Sequence, residues 1–100
     1  MSTYFILTQT ITEPERYETE YVPAVMPFIT KYKGEVVVAD FKATPLEGTP
    51  ASGVVVLKFP GESNIIDFLT DPEYQPVKKL RLSITTHANA IMAQEYQIPA

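Results

Sequence analysis

Phe59 to Arg81 reads FPGESNIIDFLTDPEYQPVKKLR, and the fold of the whole chain turns on how this stretch divides. Its first residues end a strand. Ile65, Ile66, Phe68 and Leu69 form the apolar side of a short helix. Asp71-Pro72 stops that helix and starts another: an Asp carboxylate accepts the orphan N–H groups of a helix start, and proline suits the next position, whose N–H has no helical partner. The second half is therefore expected to run strand, broken helix, strand.

Working outward, Tyr4 to Thr10 has the β-branched and aromatic composition of a strand. Thr12-Glu13-Pro14-Glu15 matches a capping box, with Thr12 as N-cap and Glu15 reaching back. A long helix is expected from there to about Tyr32. Tyr17, Tyr21, Val25, Phe28, Ile29 and Tyr32 share one stripe, and Pro23 and Pro27 predict a kink. Gly34 is expected to end it in the left-handed C′ position. Glu35 to Phe41 reads as the second strand, Lys42 to Ser52 as a loop carrying Thr44-Pro45, Gly48 and Thr49-Pro50, and Gly53 to Phe59 as the third strand. Beyond the break, Tyr74, Val77, Leu80 and Ile84 share a helix face. His87 to Glu95 reads as the last strand, and Gln97 to Ala100 as a loose tail.

The order strand, helix, strand, strand, broken helix, strand is the split βαβ arrangement, so the fold class is α+β, ferredoxin-like βαββαβ. A four-stranded antiparallel sheet is expected, with the first and third strands central, in one domain over residues 1–100. Strands with one wet face should alternate polar and apolar residues. These do not: Tyr4, Ile6, Val54, Val56, Val36 and Val38 would fall on one face, and Phe5, Leu7, Val55, Leu57, Val37 and Phe41 on the other. Helices cover only one face, so an obligate homodimer packed sheet to sheet is expected.

Composition sets further bounds. The chain has 100 residues, 45% of them hydrophobic, no cysteine and one histidine. That rules out disulfides, thiolate nucleophiles, Cys-ligated zinc and a two-histidine metal site within one chain. A net charge of -4 opposes nucleic acid and anionic membranes as partners. The start, MSTYFILTQT, lacks a basic leader and its apolar run is too short for a signal peptide, so a cytoplasmic location is expected. No GxSxG, P-loop, GxGxxG or HExxH pattern is present. No cofactor and no metal are expected.

Several stretches carry a resemblance: the TxxE at the first helix start, YVPAVMPFI from Tyr21 to Ile29, YKG from Tyr32 to Gly34, VVLKFP from Val55 to Pro60 and, above all, DPEYQPVKKLR from Asp71 to Arg81. Over nearly its whole length the chain resembles domain-of-unknown-function family 1330. The resemblance implies the dimeric α+β barrel superfamily, in which two ferredoxin-like sheets pack face to face. Relatives there include cofactor-independent antibiotic-biosynthesis monooxygenases, muconolactone isomerase, haem-binding chlorite dismutase-like proteins and non-enzymatic stress proteins. Fold analogy selects none of these chemistries. Members often carry two glycines after the first helix, where this chain has Lys33-Gly34-Glu35. They often end the second strand with Arg-Gly, where this chain has Ala39-Asp40-Phe41.

His87, the one side chain expected to titrate near neutrality, reads as a general base or haem ligand at a pocket mouth, or as a partly exposed strand start. Asp40 reads as a catalytic carboxylate if buried, or as the exposed end of an edge strand. Tyr4, Thr8, Tyr17 and Tyr21 read as an apolar pocket with a few hydroxyls, or as ordinary core and rim residues. Arg81 reads as a clamp for a carboxylate, or as a surface cation favourable to a helix C-terminus. Glu13, Glu15, Glu18 and Glu20 complement a helix dipole. Two functions remain open: a dimer that binds or converts a small apolar or aromatic molecule, in the manner of a cofactor-free monooxygenase or isomerase, and a non-catalytic structural or stress-related dimer.

Overall fold

The structure is a computed structural model and describes residues 1–99. Strand β1 (Thr3–Ile11) leads into a helical arm made of α1 (Pro14–Arg16), a π-helical segment (Tyr17–Tyr21) and α2 (Val22–Lys31). Strands β2 (Glu35–Asp40) and β3 (Gly53–Phe59) follow, then helices α3 (Glu62–Thr70) and α4 (Gln75–Ser83), then strand β4 (Thr85–Gln94). The four strands form one antiparallel sheet in the order β2-β3-β1-β4, with β1 and β3 central. This is the ferredoxin-like α+β fold that the element order implies.

Alternation along β1 decides the faces. Thr3, Phe5, Leu7 and Gln9 are buried, while Tyr4, Ile6, Thr8 and Thr10 between them are only half-buried. The buried set meets Leu57 and Phe59 of β3 and the inward sides of the helices, Tyr17, Tyr21, Val25, Ile29, Ile65, Phe68 and Tyr74. Phe68 organises the aromatic part of this layer: its ring lies edge-on to Phe5 at 6.3 Å and tilted over Tyr74 at 4.5 Å.

The helical arm departs from the expected capping box. Its N-cap is Glu13, with no side-chain cap, because the Thr12 N–H is already bonded to the Ile84 carbonyl. The irregularity at the prolines is a widened turn just upstream of Pro23. There the Val22 N–H reaches back five residues to the Tyr17 carbonyl. Pro23 has no donor and crowds the turn before it; a π turn relieves that crowding while keeping the helix continuous. Pro27 stays inside α2.

At the end of α2 the left-handed residue is Lys33, with φ 65°, not Gly34. The Lys33 N–H bonds the Thr30 carbonyl and the Gly34 N–H bonds the Ile29 carbonyl, the paired bonds of a Schellman ending. Gly34 serves packing instead: a Cβ there would stand 2.7 Å from the Phe59 ring and 2.8 Å from Ile29 Cγ2. The two neighbours should therefore respond with opposite signs. Gly34→Ala is expected to cost ~1–3 kcal/mol through overpacking. Lys33→Gly is expected to stabilise by up to ~1 kcal/mol by relieving the left-handed strain. Urea denaturation of the two variants checks this.

Asp71 acts one turn ahead of α4 rather than as its immediate N-cap. Its Oδ1 accepts the Glu73 N–H at 2.9 Å, and its Oδ2 accepts the Tyr32 hydroxyl at 2.7 Å and Lys31 Nζ at 2.9 Å. One carboxylate thus ties the end of α2 to the α3–α4 turn. These bonds, with that from Tyr32 foremost, hold its pKa down to about 2. A lowered folded-state pKa contributes stability that is present above the ordinary Asp value and lost as pH falls through the folded one. Stability should therefore drop between about pH 4 and pH 2. Asp71→Asn should lower stability at neutral pH and flatten that acid limb, as measured by denaturation across the same pH range.

Two bulges complete the sheet. Val36 pairs with Leu57 and Val38 with Val56, leaving Val37 as an extra residue in β2. Val36 consequently lies on the helix side, not with Val38. In β4, Thr10 pairs with Thr86 and Thr8 with Asn89, so one extra residue sits in the segment holding His87, whose φ is 53°.

Candidate functional site

Between the helix side of the sheet and the helical arm lies a cavity of ≈ 140 Å³. Its floor is Phe5, Leu7, Val55 and Leu57 of the central strands, with Val36 and Ala39 of β2. Its roof is Tyr17, Tyr21, Val25, Met26, Ile29, Phe68 and Tyr74, and Phe41 closes one end against Tyr17 with ring centroids 5.0 Å apart. The wall is incomplete toward β2, where Met26 and Val36 are 39% and 40% exposed. The lining is apolar except for the tyrosines.

The widened turn supplies two of those tyrosines. Tyr17 and Tyr21 begin and end the π segment, both buried, their rings 4.9 Å apart. Tyr74, from the turn ahead of α4, is 2% exposed. Burial raises the pKa of Tyr17, against the opposing effect of its bond from Gln9. Burial raises that of Tyr21 further, with Tyr74 and Tyr17 adding to it. Tyr17 and Tyr21 are therefore neutral hydroxyls at physiological pH, able to donate to an acceptor.

Behind Tyr17 runs a buried polar chain. Arg81 Nη1 donates to Gln9 Oε1 at 3.0 Å, and Gln9 Nε2 donates to the Tyr17 hydroxyl at 2.8 Å. The direction is forced: arginine has no acceptor, so the Gln9 oxygen must face it and the amide nitrogen must face Tyr17. Arg81 is 5% exposed and Gln9 0%. Among the described residues no carboxylate pairs with Arg81.

The expected site residues divide between the two sides of the sheet. Tyr17 and Tyr21 line the cavity, and Arg81 stands behind them, buried on α4 rather than at the surface. Tyr4 and Thr8 do not join them, because the even positions of β1 face the other way. The Tyr4 hydroxyl instead donates to Glu95 Oε1 at 3.2 Å. His87 is exposed and lies with Thr8, Thr10 and Asn89 in an open cleft beside Thr49-Pro50-Ala51, on the side away from the tyrosines. The expected grouping of Tyr4, Thr8, Tyr17, Tyr21 and His87 in one pocket is thus not what the register builds. Asp40 is exposed, and its Oδ1 accepts the Lys42 N–H at 2.9 Å, a turn cap. Gln9 and Tyr74 were not among the expected site residues, although Tyr74 lies within the DPEYQ motif. A signal for Gln9 existed: Thr3, Phe5, Leu7, Gln9 is an apolar-side alternation that ends on a polar group needing a partner.

Among the described residues, no group of three or more His, Cys, Asp or Glu side chains could hold a metal ion, and no helix is long and apolar enough to cross a membrane.

The sequence profile of the domain of unknown function DUF1330 matches residues 2–96. The chain belongs to this family. No curated protein matches it in sequence. Among solved structures, the DUF1330 chain is similar to a protein of unknown function from Rhodopseudomonas palustris, with a TM-score of 0.78 at 15% identity, covering 97% of this chain and 84% of that one. It is also similar to an ethyl tert-butyl ether D (EthD) family protein from Bacillus halodurans, with a TM-score of 0.62 at 10% identity, over 96% and 99% of the two chains. A third similar structure is assigned as an antibiotic biosynthesis monooxygenase from Bacteriodes thetaiotaomicron, with a TM-score of 0.57 at 18% identity, over 97% and 91%. At these identities the likeness is one of fold. The DUF1330 chain shares the ferredoxin-like architecture with proteins of differing descriptions.

Proposed function

We propose that this DUF1330 protein is a homodimer that binds a small apolar or aromatic molecule in the cavity beneath the helical arm. The cavity itself carries the reading: ≈ 140 Å³, walled by aliphatic and aromatic side chains, three of them tyrosines. An engineered apolar cavity of about 150 Å³ takes up benzene, so one ring is the matching size. Few, convergent polar groups in an apolar wall are the usual make-up of a small-molecule site. The fold shared with a protein described as an antibiotic biosynthesis monooxygenase and with an EthD family protein is consistent with small-molecule binding.

Conversion of that ligand, in the manner of a cofactor-free monooxygenase or isomerase, is the further part of this reading. It would rest on tyrosine donors and on the ligand's own reactivity, since among the described residues no imidazole or carboxylate lines the cavity. The same observation favours the second reading, a non-catalytic dimer of structural or stress-related role.

For the dimer, the support is the far side of the sheet. Cross-strand pairing sets Val38, Val56, Ile6 and Ile91 in one row, one residue from each strand. The row at one flank is Asp40, Val54, Thr8 and Asn89, and at the other Lys58, Tyr4 and Ala93. An apolar stripe edged by polar groups suits a self-complementary contact about a two-fold axis.

The test is an amide NMR titration with toluene. Shifts should concentrate at Tyr17, Val25, Leu57 and Phe68. Val25→Phe, which fills the cavity, should abolish them. His87→Ala should leave them within about twofold in affinity, because a side chain across the sheet changes cavity binding by only a few tenths of a kcal/mol. Shifts confined to the His87 cleft, or none, would refute the cavity reading.

A further inference from the structure

The buried guanidinium of Arg81 has no counter-ion among the described residues. It is 95% removed from solvent, taking its 5% exposure, and its one side-chain partner is the neutral amide of Gln9. Placing a charge in the interior is costly unless an opposite charge accompanies it. Here the compensation is an amide dipole and the last turn of α4, where Arg81 sits. An anion brought close would improve this electrostatic state more than it could in water, because the interior screens less.

The polar chain tells where that anion would sit. Arg81 donates to Gln9, and Gln9 donates to the Tyr17 oxygen, so the Tyr17 proton is left over. Polarised from behind, this hydroxyl is a donor. Tyr21 and Tyr74 also line the cavity, each with a hydroxyl to offer. The Arg81 charge reaches both Tyr17 and Tyr21, lowering the pKa of each against the larger effect of burial. The cavity therefore offers donors and a positive field, with no acidic side chain among the described lining residues competing for either.

Resting on the cavity reading above, we infer that the ligand is a small organic anion, a single apolar ring bearing a carboxylate, with its oxygens held by the Tyr17, Tyr21 and Tyr74 hydroxyls and its charge balanced by Arg81 through Gln9. Arg81 and Gln9 are positioning residues: neither lines the cavity, and both act through Tyr17 and through the field.

Two isosteric probes separate charge from shape. Benzoate and benzamide have the same ring and outline, and both offer a carbonyl oxygen to a tyrosine. Dissociation constants are read by NMR titration at pH 7 and fixed ionic strength. Benzoate is expected to bind roughly tenfold tighter, the ratio of a charge-assisted to a neutral hydrogen bond. Gln9→Glu gives Arg81 an internal carboxylate and takes the Tyr17 proton for itself. In that variant both probes lose the Tyr17 donor alike, and the benzoate preference over benzamide should vanish. Equal affinities in the wild type would overturn the inference and leave the cavity reading standing. A preference that survives Gln9→Glu would overturn the role of Arg81. Failure of benzoate, benzamide and toluene alike would overturn both readings. The wild-type comparison needs no variant, so it decides even if Gln9→Glu does not fold.

Discussion

Val56→Asp should yield folded monomers, weakening dimer association by a factor on the order of a thousand, equivalent to ~4 kcal/mol. Val56 stands on central strand β3, between Val38 and Ile6 in the apolar row. A two-fold axis through this side of the sheet would bring both copies of the substitution into one contact. Each carboxylate would lose water without gaining a partner, and the two would repel. In the monomer the same position faces solvent, so the fold should survive. Light scattering should give twice the monomer mass for the wild type at micromolar concentration and the monomer mass for the variant, with unchanged circular dichroism. A wild type that is monomeric under those conditions refutes the dimer.

Gln9→Leu should be the most damaging conservative change in the core. Leucine matches glutamine in size and would suit the Phe5, Leu7 side of β1. Yet it removes the acceptor that Arg81 uses and the donor that Tyr17 uses. Losing a bond to a buried charge costs ~1.5–3 kcal/mol, and more when the charge is left unpaired. For a domain of about a hundred residues that is a fall in melting temperature of roughly 10–20 °C. Adding Arg81→Met should recover much of the loss, because the charge that lacked a partner is then gone. A double variant no more stable than Gln9→Leu alone would show that the chain from Arg81 to Tyr17 is not an energetic unit.

The sequence was a good guide where one local pattern decides the outcome. Glycine-bounded valine runs could only be strands, and Ile65 to Leu69 before Asp71-Pro72 could only be a short helix with a stop. The order of such elements leaves few topologies. It was a poor guide where one extra residue changes a face. The bulge at Val37 moves Val36 to the helix side. His87, at the bulge in β4, lies with Thr8 and Thr10 across the sheet from the tyrosines. A one-residue shift reverses every side chain beyond it, and nothing in the composition of Glu35–Asp40 or Thr85–Gln94 marks where the shift falls. Lys33 and Gly34 show the same limit: glycine advertised a left-handed ending, while its actual service is room for the Phe59 ring. For the site, Tyr17 and Tyr21 were legible from their one-turn spacing. Arg81 was legible as a residue but not as buried, since its partner lies 72 positions away.

The bulge in β2 also bears on solubility. Glu35–Asp40 is an outer strand of the sheet, exposed along its whole length, and its middle is three consecutive valines. Such an edge invites a strand from another molecule to add on, the first step toward fibrils. The extra residue at Val37 breaks the even spacing of N–H and C=O groups that an incoming strand would need, and Glu35 and Asp40 place like charges at its two ends. Trimming the bulge by deleting Val37 would straighten this edge. The protein would then be expected to form β-rich aggregates at concentrations where the wild type stays clear.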